Sequence, residues 1–125
     1  MTDNNILADK AISFAIRIVN CYKFLTEEGK EFIMSKQVLR SGTSIGANIH
    51  EAIHGQSRAD FISKMSIALK EASETSYWLV ILYKTEFLDD KSYKSLKRDI
   101  DEIIRILIST IKTTKKNDNE YNIQL

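Results

Sequence analysis

The stretch QVLRSGTSIGANIHE at residues 37–51 and the segment FISKMSIALKEASETSYWLVIL at residues 61–82 decide how this chain folds. Both carry apolar residues at alternating steps of three and four, which places them on one face of an α-helix. The first also puts glycine, serine and asparagine where an ordinary amphipathic helix carries leucine. The second sets Glu71 and Glu74 among apolar neighbours. The pattern predicts two long helices that meet along faces containing both apolar and polar side chains.

The composition favours a single all-α domain. The chain has 125 residues, which suits one core, and it contains four glycines and no proline, which favours long helices with short connections. Eighteen lysines and arginines against seventeen acidic residues give a net charge of +1. That balance provides no overall field toward nucleic acid or an anionic membrane. We expect one domain over residues 1–116 and a polar C-terminal tail over residues 117–125.

Four helices follow from the apolar spacing. The second runs from about residue 35 to 54, Ser57 and Asp60 suit the start of the third, and Asp89 or Asp90 can cap the fourth. We call the residues that share the predicted buried face of a helix its seam. The seam of the first helix is Leu7, Ala11, Phe14, Ile18, Cys21 and Leu25, and that of the third is Phe61, Met65, Ala68, Ala72, Thr75, Leu79 and Leu82. The seam of the fourth helix is Tyr93, Leu96, Ile100, Ile103, Leu107 and Ile111. Short connections predict an antiparallel up-down-up-down four-helix bundle.

Three apolar residues lie beside the first seam and widen it: Ile12, Ala15 and Val19. A wide apolar stripe is typical of a helix that packs against more than one neighbour. We therefore expect the first helix to contact two neighbours.

A polar stripe borders the buried face of the second helix. Its members are Gln37, Arg40, Ser41, Ser44, Asn48 and Glu51. On the third helix Glu71 and Glu74 border the apolar face in the same way, beside Tyr77 and Trp78. Buried carboxylates need partners, and we hypothesise that Arg40, Asn48 and Gln37 supply them across the contact. The alternative is a solvated flank with flexible ion pairs of little energetic value.

Two glycines interrupt the second helix, Gly42 and Gly46, four residues apart. Each costs a helix about 0.5–1 kcal/mol relative to alanine. Close approach of another backbone would explain them, and a break in the helix is the alternative. The apolar spacing continues through both glycines, which favours close helix packing.

The motif Gln37-x-x-Arg-Ser-x-x-Ser-Ile-x-x-Asn-Ile-x-Glu51 resembles the signature of the four-helix-bundle proteins first described from intervening sequences in bacterial large-subunit rRNA genes. The segment from Phe61 to Leu79 is similar to that family's second block. The resemblance implies a left-handed bundle that assembles with itself into a homopentameric ring. The accessory variability protein of diversity-generating retroelements looks like a distant relative, and it binds a reverse transcriptase and nucleic acid. Nucleic acid or a nucleic-acid-processing protein is therefore the alternative partner.

Catalytic and metal-binding patterns are weak in this sequence. Glu51 and His54 have a spacing found in metal-binding bundles, and His50 lies four residues before His54. The chain has only two histidines, so it holds no second such motif, and solvent-facing histidines are the alternative. No phosphate-binding loop or nucleophile triad is present, and Cys21 lies within an apolar seam. We expect no enzyme activity, no cofactor and no bound metal, with a metal-binding bundle as the third hypothesis.

Basic residues of the fourth helix are candidates for contact with nucleic acid: Lys94, Lys97, Arg98, Arg105, Lys112, Lys115 and Lys116. Clustered lysine and arginine bind phosphates. The alternative is that these cations solubilise an exposed face and, near the C-terminus, complement the helix dipole.

A non-enzymatic, homo-oligomeric scaffold or binding module is the function that the sequence favours. The N-terminus lacks the basic and apolar regions of a signal peptide, and no apolar run approaches the ~20 residues that span a bilayer. One cysteine permits no internal disulfide. These features predict a cytoplasmic protein without membrane contact.

Overall fold

A computed structural model describes the backbone of residues 3–124 and the side chains of residues 4–117. It contains four helices: α1 (Asp3–Glu27), α2 (Met34–Ile53), α3 (Arg58–Lys84) and α4 (Asp90–Gln124). There is no strand within the described backbone. Helix α2 packs against α1 and α3, and α4 packs against α3 and, less extensively, against α1. The four helices therefore surround one core as a four-helix bundle.

The core consists of the side chains that the apolar seams predict. Every seam residue is buried except Phe61 and Tyr93, which are half-buried at the margin of the core. Helix α2 contributes Val38, Ile45, Ile49 and Ala52. Burial of this apolar surface is the main force that holds the helices together.

Helix α1 contacts two neighbours, α2 and α4, as predicted, but the prediction that Ile12 and Val19 widen its buried seam is wrong. Their side chains are 58% and 36% exposed, and Ala15 is half-buried. They repeat with the same period as the core seam of α1 but lie far around the helix from it. Spacing alone does not distinguish a face that packs from one that faces outward.

Side-chain caps start α3 and α4. Ser57 Oγ accepts a hydrogen bond from the backbone N–H of Asp60 at 3.0 Å, and Asp89 Oδ1 accepts one from the N–H of Ser92 at 2.7 Å. Each bond satisfies a donor that has no partner inside its helix. Both helices therefore begin where the sequence predicts.

A buried carboxylate starts α2. Glu31 Oε1 accepts a hydrogen bond from the N–H of Ser35 at 2.7 Å, and the Ser35 hydroxyl donates to the Glu31 carbonyl oxygen at 2.8 Å. Burial raises the pKa of Glu31, but hydrogen bonds from Ser35, Met34 and Ile33 outweigh it and hold that pKa below its usual range. The carboxylate is therefore ionised at neutral pH and fixes the first turn of α2.

Helix α4 continues through Gln124, far past Ile111, the last buried residue of its seam. The predicted polar tail at 117–125 begins inside this helix, and from residue 118 its side chains lie outside the described residues. Within the described chain, none of the four helices combines the length and apolar character needed to span a membrane.

Candidate functional site

The polar stripes of α2 and α3 meet at Arg40. Its Nη1 donates to Glu71 Oε2 at 3.1 Å, and its Nη2 donates to Glu74 Oε2. The Arg40 side chain is 50% exposed, whereas Glu71 is only 16% exposed. Because the arginine is half in solvent, each pair contributes at most about 1 kcal/mol to stability. Arg40 thus links two carboxylates of α3 to α2 at the edge of the core.

Ser41 and Thr75 form the buried part of this contact. A hydrogen bond of 2.8 Å joins their hydroxyls, and Thr75 Oγ1 lies 2.8 Å from the Glu71 carbonyl oxygen, to which it donates. Both residues are fully buried. Sequence spacing places both near the core but does not show that they pair.

Other members of the stripe bond elsewhere. Asn48 Nδ2 donates to the Ser44 carbonyl oxygen, and the Ser44 hydroxyl donates to the Arg40 carbonyl oxygen. Both hydrogen bonds therefore lie within α2. Glu51 pairs with Lys64 of α3 at 3.0 Å. Gln37 is exposed and makes no hydrogen bond within the described side chains. Neither Asn48 nor Gln37 reaches the α3 carboxylates.

Tyr77 and Trp78 lie on different faces of α3. Tyr77 is 58% exposed, and its ring meets that of Trp78 edge-on at 5.2 Å. The Trp78 Nε1 atom is buried and has no hydrogen-bond partner among the described residues. A buried N–H without a partner carries a free-energy cost. These aromatic residues contribute apolar contact area on α3.

The α1–α2 contact depends on glycine. A Cβ atom added at Gly42 would lie 2.8 Å from Ile18 Cγ2, and one added at Gly46 would lie 3.5 Å from Ala11 Cβ. Gly42 therefore has no room for a side chain, whereas Gly46 has room for a methyl group. The Ile18 side chain of α1 therefore packs directly against the α2 backbone at Gly42.

Charged side chains join α1 and α4 at the surface of the bundle. Arg17 donates to Asp99 Oδ2 at 2.6 Å and to Ser95 Oγ at 2.8 Å, and Lys10 pairs with Glu102. Three shallow cavities of about 310, 300 and 220 Å³ lie along this contact. Sequence patterns do not reveal these ion pairs, because their partners are about 80 or more residues apart.

The reactive side chains among the described residues include a buried thiol and two exposed histidines. Burial raises the pKa of the Cys21 thiol to about 11, against a small opposite effect of Arg17, so the thiol is protonated at neutral pH. His54 Nδ1 lies 3.0 Å from the His50 carbonyl oxygen, and the two rings are 4.4 Å apart. No three histidine, cysteine or acidic side chains converge as metal ligands within the described chain.

The basic candidates of α4 fall into two groups. Lys94 pairs with Asp90 at 2.9 Å, and Lys97 pairs with Asp101 at 2.5 Å. The others are exposed and make no ion pair among the described side chains: Arg98, Arg105, Lys112, Lys115 and Lys116. Three of these residues follow one another at steps of seven: Arg98, Arg105 and Lys112. They share one row on the outer side of α4.

Exposed apolar side chains form the other unusual surface. The described residues include ten large ones: Ile6, Ile12, Ile16, Val19, Phe24, Phe32, Ile33, Ile67, Tyr77 and Ile108. Single exposed apolar residues are common, but contiguous ones mark contact surfaces. Ile12, Ile16 and Val19 are contiguous on α1.

Comparison with known proteins places this fold. The sequence profile of the 23S rRNA-intervening sequence protein family matches residues 3–109. The chain belongs to this family. The resemblance of the α2 and α3 motifs is thereby confirmed, and the match covers α1, α2 and α3 and ends within α4.

A similar structure has been solved for another protein. It is a protein of unknown function from the S23 ribosomal protein family of Bacteroides thetaiotaomicron, with 59% sequence identity and a TM-score of 0.87. The alignment covers 89% of the 125-residue chain described above and 99% of the Bacteroides chain. No curated protein matches the sequence.

Proposed function

We propose that this protein is a non-enzymatic, cytoplasmic, homo-oligomeric scaffold whose subunits are antiparallel, left-handed four-helix bundles. The observation that carries self-association is the contiguous exposed apolar surface of α1. A 125-residue chain that leaves three β-branched side chains of one helix face in water gains stability when another subunit covers them. A homopentameric ring is the assembly that the family resemblance favours.

Two further features support the subunit description. Arg40 contacts Glu74 whereas Glu51 contacts Lys64, so residue numbers rise along α2 as they fall along α3, as antiparallel packing requires. The cavities along the α1–α4 contact are open surface depressions rather than enclosed pockets. A binding module needs neither a pocket nor a tuned carboxylate.

Native mass spectrometry and light scattering over a range of concentrations test the assembly. The chain has a mass of 14.4 kDa, so five copies give about 72 kDa. The proposal expects this mass or another discrete multiple at micromolar concentration. A mass of one chain at every concentration would contradict self-association. A discrete oligomer of two, three or four copies would retain the scaffold and exclude the pentamer.

The second candidate function is that of a nucleic-acid-associated accessory protein. The specific observation is the row of Arg98, Arg105 and Lys112 on the outer side of α4. The nearby acids pair with Lys94, Lys97, Arg17 and Lys10, and none of them pairs with this row among the described side chains. In a ring, repetition of the row would strengthen a weak contact through avidity.

Fluorescence polarisation with labelled RNA and DNA tests this candidate. Binding at ~50 mM salt should weaken steeply at higher salt, because bound phosphates release counterions. The double variant Arg98→Gln/Arg105→Gln should lose affinity, whereas Lys36→Gln/Lys70→Gln, which removes two exposed charges from α2 and α3, should not. Absence of binding at ~50 mM salt, or equal loss in both variants, would exclude the α4 row.

A further inference from the structure

The outer side of α1 carries a second row of residues at alternating steps of three and four: Asp9, Ile12, Ile16, Val19 and Lys23. Ile16 is two residues from both Phe14 and Ile18 of the core, and it therefore lies about 200° around the helix from them. Ile12 and Ile16 are 58% and 59% exposed, Val19 is 36% exposed, and Asp9 and Lys23 are exposed. We call these five residues the outer row.

The outer row is symmetric about Ile16. Asp9 lies seven residues before Ile16, and Lys23 lies seven residues after it. Seven residues are two helical turns, so both charges lie on the same face as Ile16, each about 10.5 Å from it along the axis. Neither charge makes an ion pair among the described side chains. The row thus has an apolar centre, an acid at one end and a base at the other.

This pattern is complementary to itself when a second copy runs in the opposite direction. If two α1 helices cross at Ile16, Asp9 of each copy faces Lys23 of the other. Ile12 of each copy then lies near Val19 of the other, and the two Ile16 side chains meet at the centre. A parallel copy in the same register would place Asp9 against Asp9 and Lys23 against Lys23, which is unfavourable.

We propose that two copies of this protein pair through the outer rows of their α1 helices, antiparallel and related by a two-fold axis at Ile16. The proposal rests on the self-association proposed above and names one of its surfaces. A two-fold contact uses the same surface on both partners, whereas closure of a ring needs two different surfaces on each subunit. The outer row therefore joins two subunits or, in a pentameric assembly, two rings.

The charges of the row favour a second copy over a membrane. Amphipathic helices that bind anionic lipid carry an excess of lysine and arginine beside their apolar face. The outer row has one acid and one base, which cancel. Two helices in contact bury much less than the ~1,600 Å² of a standard protein interface. The pairing is consequently weak and salt-dependent.

Disulfide trapping tests the two-fold axis. In the variant Ile16→Cys, mild oxidation should produce a covalent dimer, because the two cysteines meet across the axis. The native Cys21 is buried with a raised pKa and does not compete. Ile67→Cys is the matched control, since it replaces an isoleucine of α3 that is also exposed, at 39%. Equal trapping in both variants, or none at position 16, would overturn the proposal.

Charge exchange tests the direction of pairing. Asp9→Lys alone and Lys23→Asp alone each place like charges at both ends, and each should weaken pairing roughly three- to tenfold, judging from the value of exposed ion pairs. A mixture of the two variants restores opposite charges at both ends and should pair as the wild type does. The control variant Lys36→Asp changes an exposed residue of α2 and should leave pairing unchanged. If the mixture pairs no better than the single variants, the antiparallel arrangement is wrong.

The outcomes separate this proposal from the proposed function. A discrete oligomer that is insensitive to the changes at positions 9, 16 and 23 would overturn the outer row and leave the scaffold intact. A wild-type monomer at all concentrations would overturn both. Binding of the wild type, but not of Ile16→Lys, to anionic lipid vesicles would assign the row to a membrane and also overturn the proposal.

Discussion

Helix α1 packs against its two neighbours in opposite ways. On the α2 side, Gly42 lets Ile18 pack against backbone, in a buried contact without charges. On the α4 side, Arg17 and Lys10 reach acids across shallow cavities, with side chains that are about 40% exposed. Close packing of buried atoms stabilises strongly, whereas exposed ion pairs stabilise little. The difference indicates that α1 is held in the bundle mainly by α2.

Substitution of Gly42 should have the largest effect. In Gly42→Val the new Cβ would lie 2.8 Å from Ile18 Cγ2 and 2.9 Å from its Cγ1, and the buried isoleucine has little room to move. We expect a loss of about 2–3 kcal/mol in the free energy of unfolding, measured by urea denaturation. Gly46→Ala is the control, and it should leave stability unchanged or raise it by up to about 1 kcal/mol. Equal losses at both glycines would remove the argument for close approach.

The buried hydroxyl pair between α2 and α3 should rank second. Thr75→Val leaves the Ser41 hydroxyl buried without its partner, and we expect a loss of about 1–2 kcal/mol in chemical denaturation. Adding Ser41→Ala removes the orphaned hydroxyl and should recover part of this loss. Thr43→Val removes only a half-buried bond to the Leu39 carbonyl and should cost less. Additive effects at positions 41 and 75 would contradict the pairing.

The carboxylate at the start of α2 should rank third. Glu31→Gln removes a charge that three backbone N–H groups favour, and we expect a loss of about 1 kcal/mol at neutral pH. Because the pKa of Glu31 is lowered on folding, its stabilisation is present above the usual carboxyl range. It is lost as the pH falls through the lowered pKa. Thermal unfolding of both proteins should therefore converge at acidic pH.

Glu28→Gln provides the control for this pH dependence. Glu28 is exposed, and it lies in the same connection between α1 and α2. Its substitution should leave thermal stability nearly unchanged at every pH. A constant difference between the wild type and Glu31→Gln down to acidic pH would show that ionisation of Glu31 contributes nothing.

The α1–α4 ion pair should have the smallest effect. Arg17→Gln removes the bonds to Asp99 and Ser95, and we expect a loss of at most about 1 kcal/mol that shrinks as salt is added. The control Lys97→Gln breaks a pair within α4 and should cost less, because that pair does not join two helices. A loss at Arg17 as large as that at Gly42 would overturn the contrast between the two sides of α1.

The seam residues show which part of the fold the sequence determined. Phe14, Met65 and Ile103 could be assigned to the core because steps of three and four fix which side chains share a helix face. The same rule misplaced Ile12 and Val19, because α1 carries two rows of equal period. Only the positions of the neighbouring helices decide which row is buried.

In the candidate site, the sequence likewise indicated individual residues but not the residues they contact. Gly42 and Arg40 could be singled out from residue type, since a glycine inside a helix and a cation beside a core both need a reason. Their partners could not, because the contacts of Gly42 with Ile18 and of Arg40 with Glu74 depend on the register between separate helices. Asn48 shows the limit: it has the residue type that the hypothesis required, but it bonds within α2.

The sequence by itself determined four helices, their core faces and the family, because helical periodicity and local motifs are properties of a single segment. The tertiary structure decided that α1 lies close to α2 and is joined to α4 by exposed ion pairs. It also decided that Ile12, Ile16 and Val19 face outward. Those features depend on how separate helices are placed side by side, and packing of the whole core sets that placement.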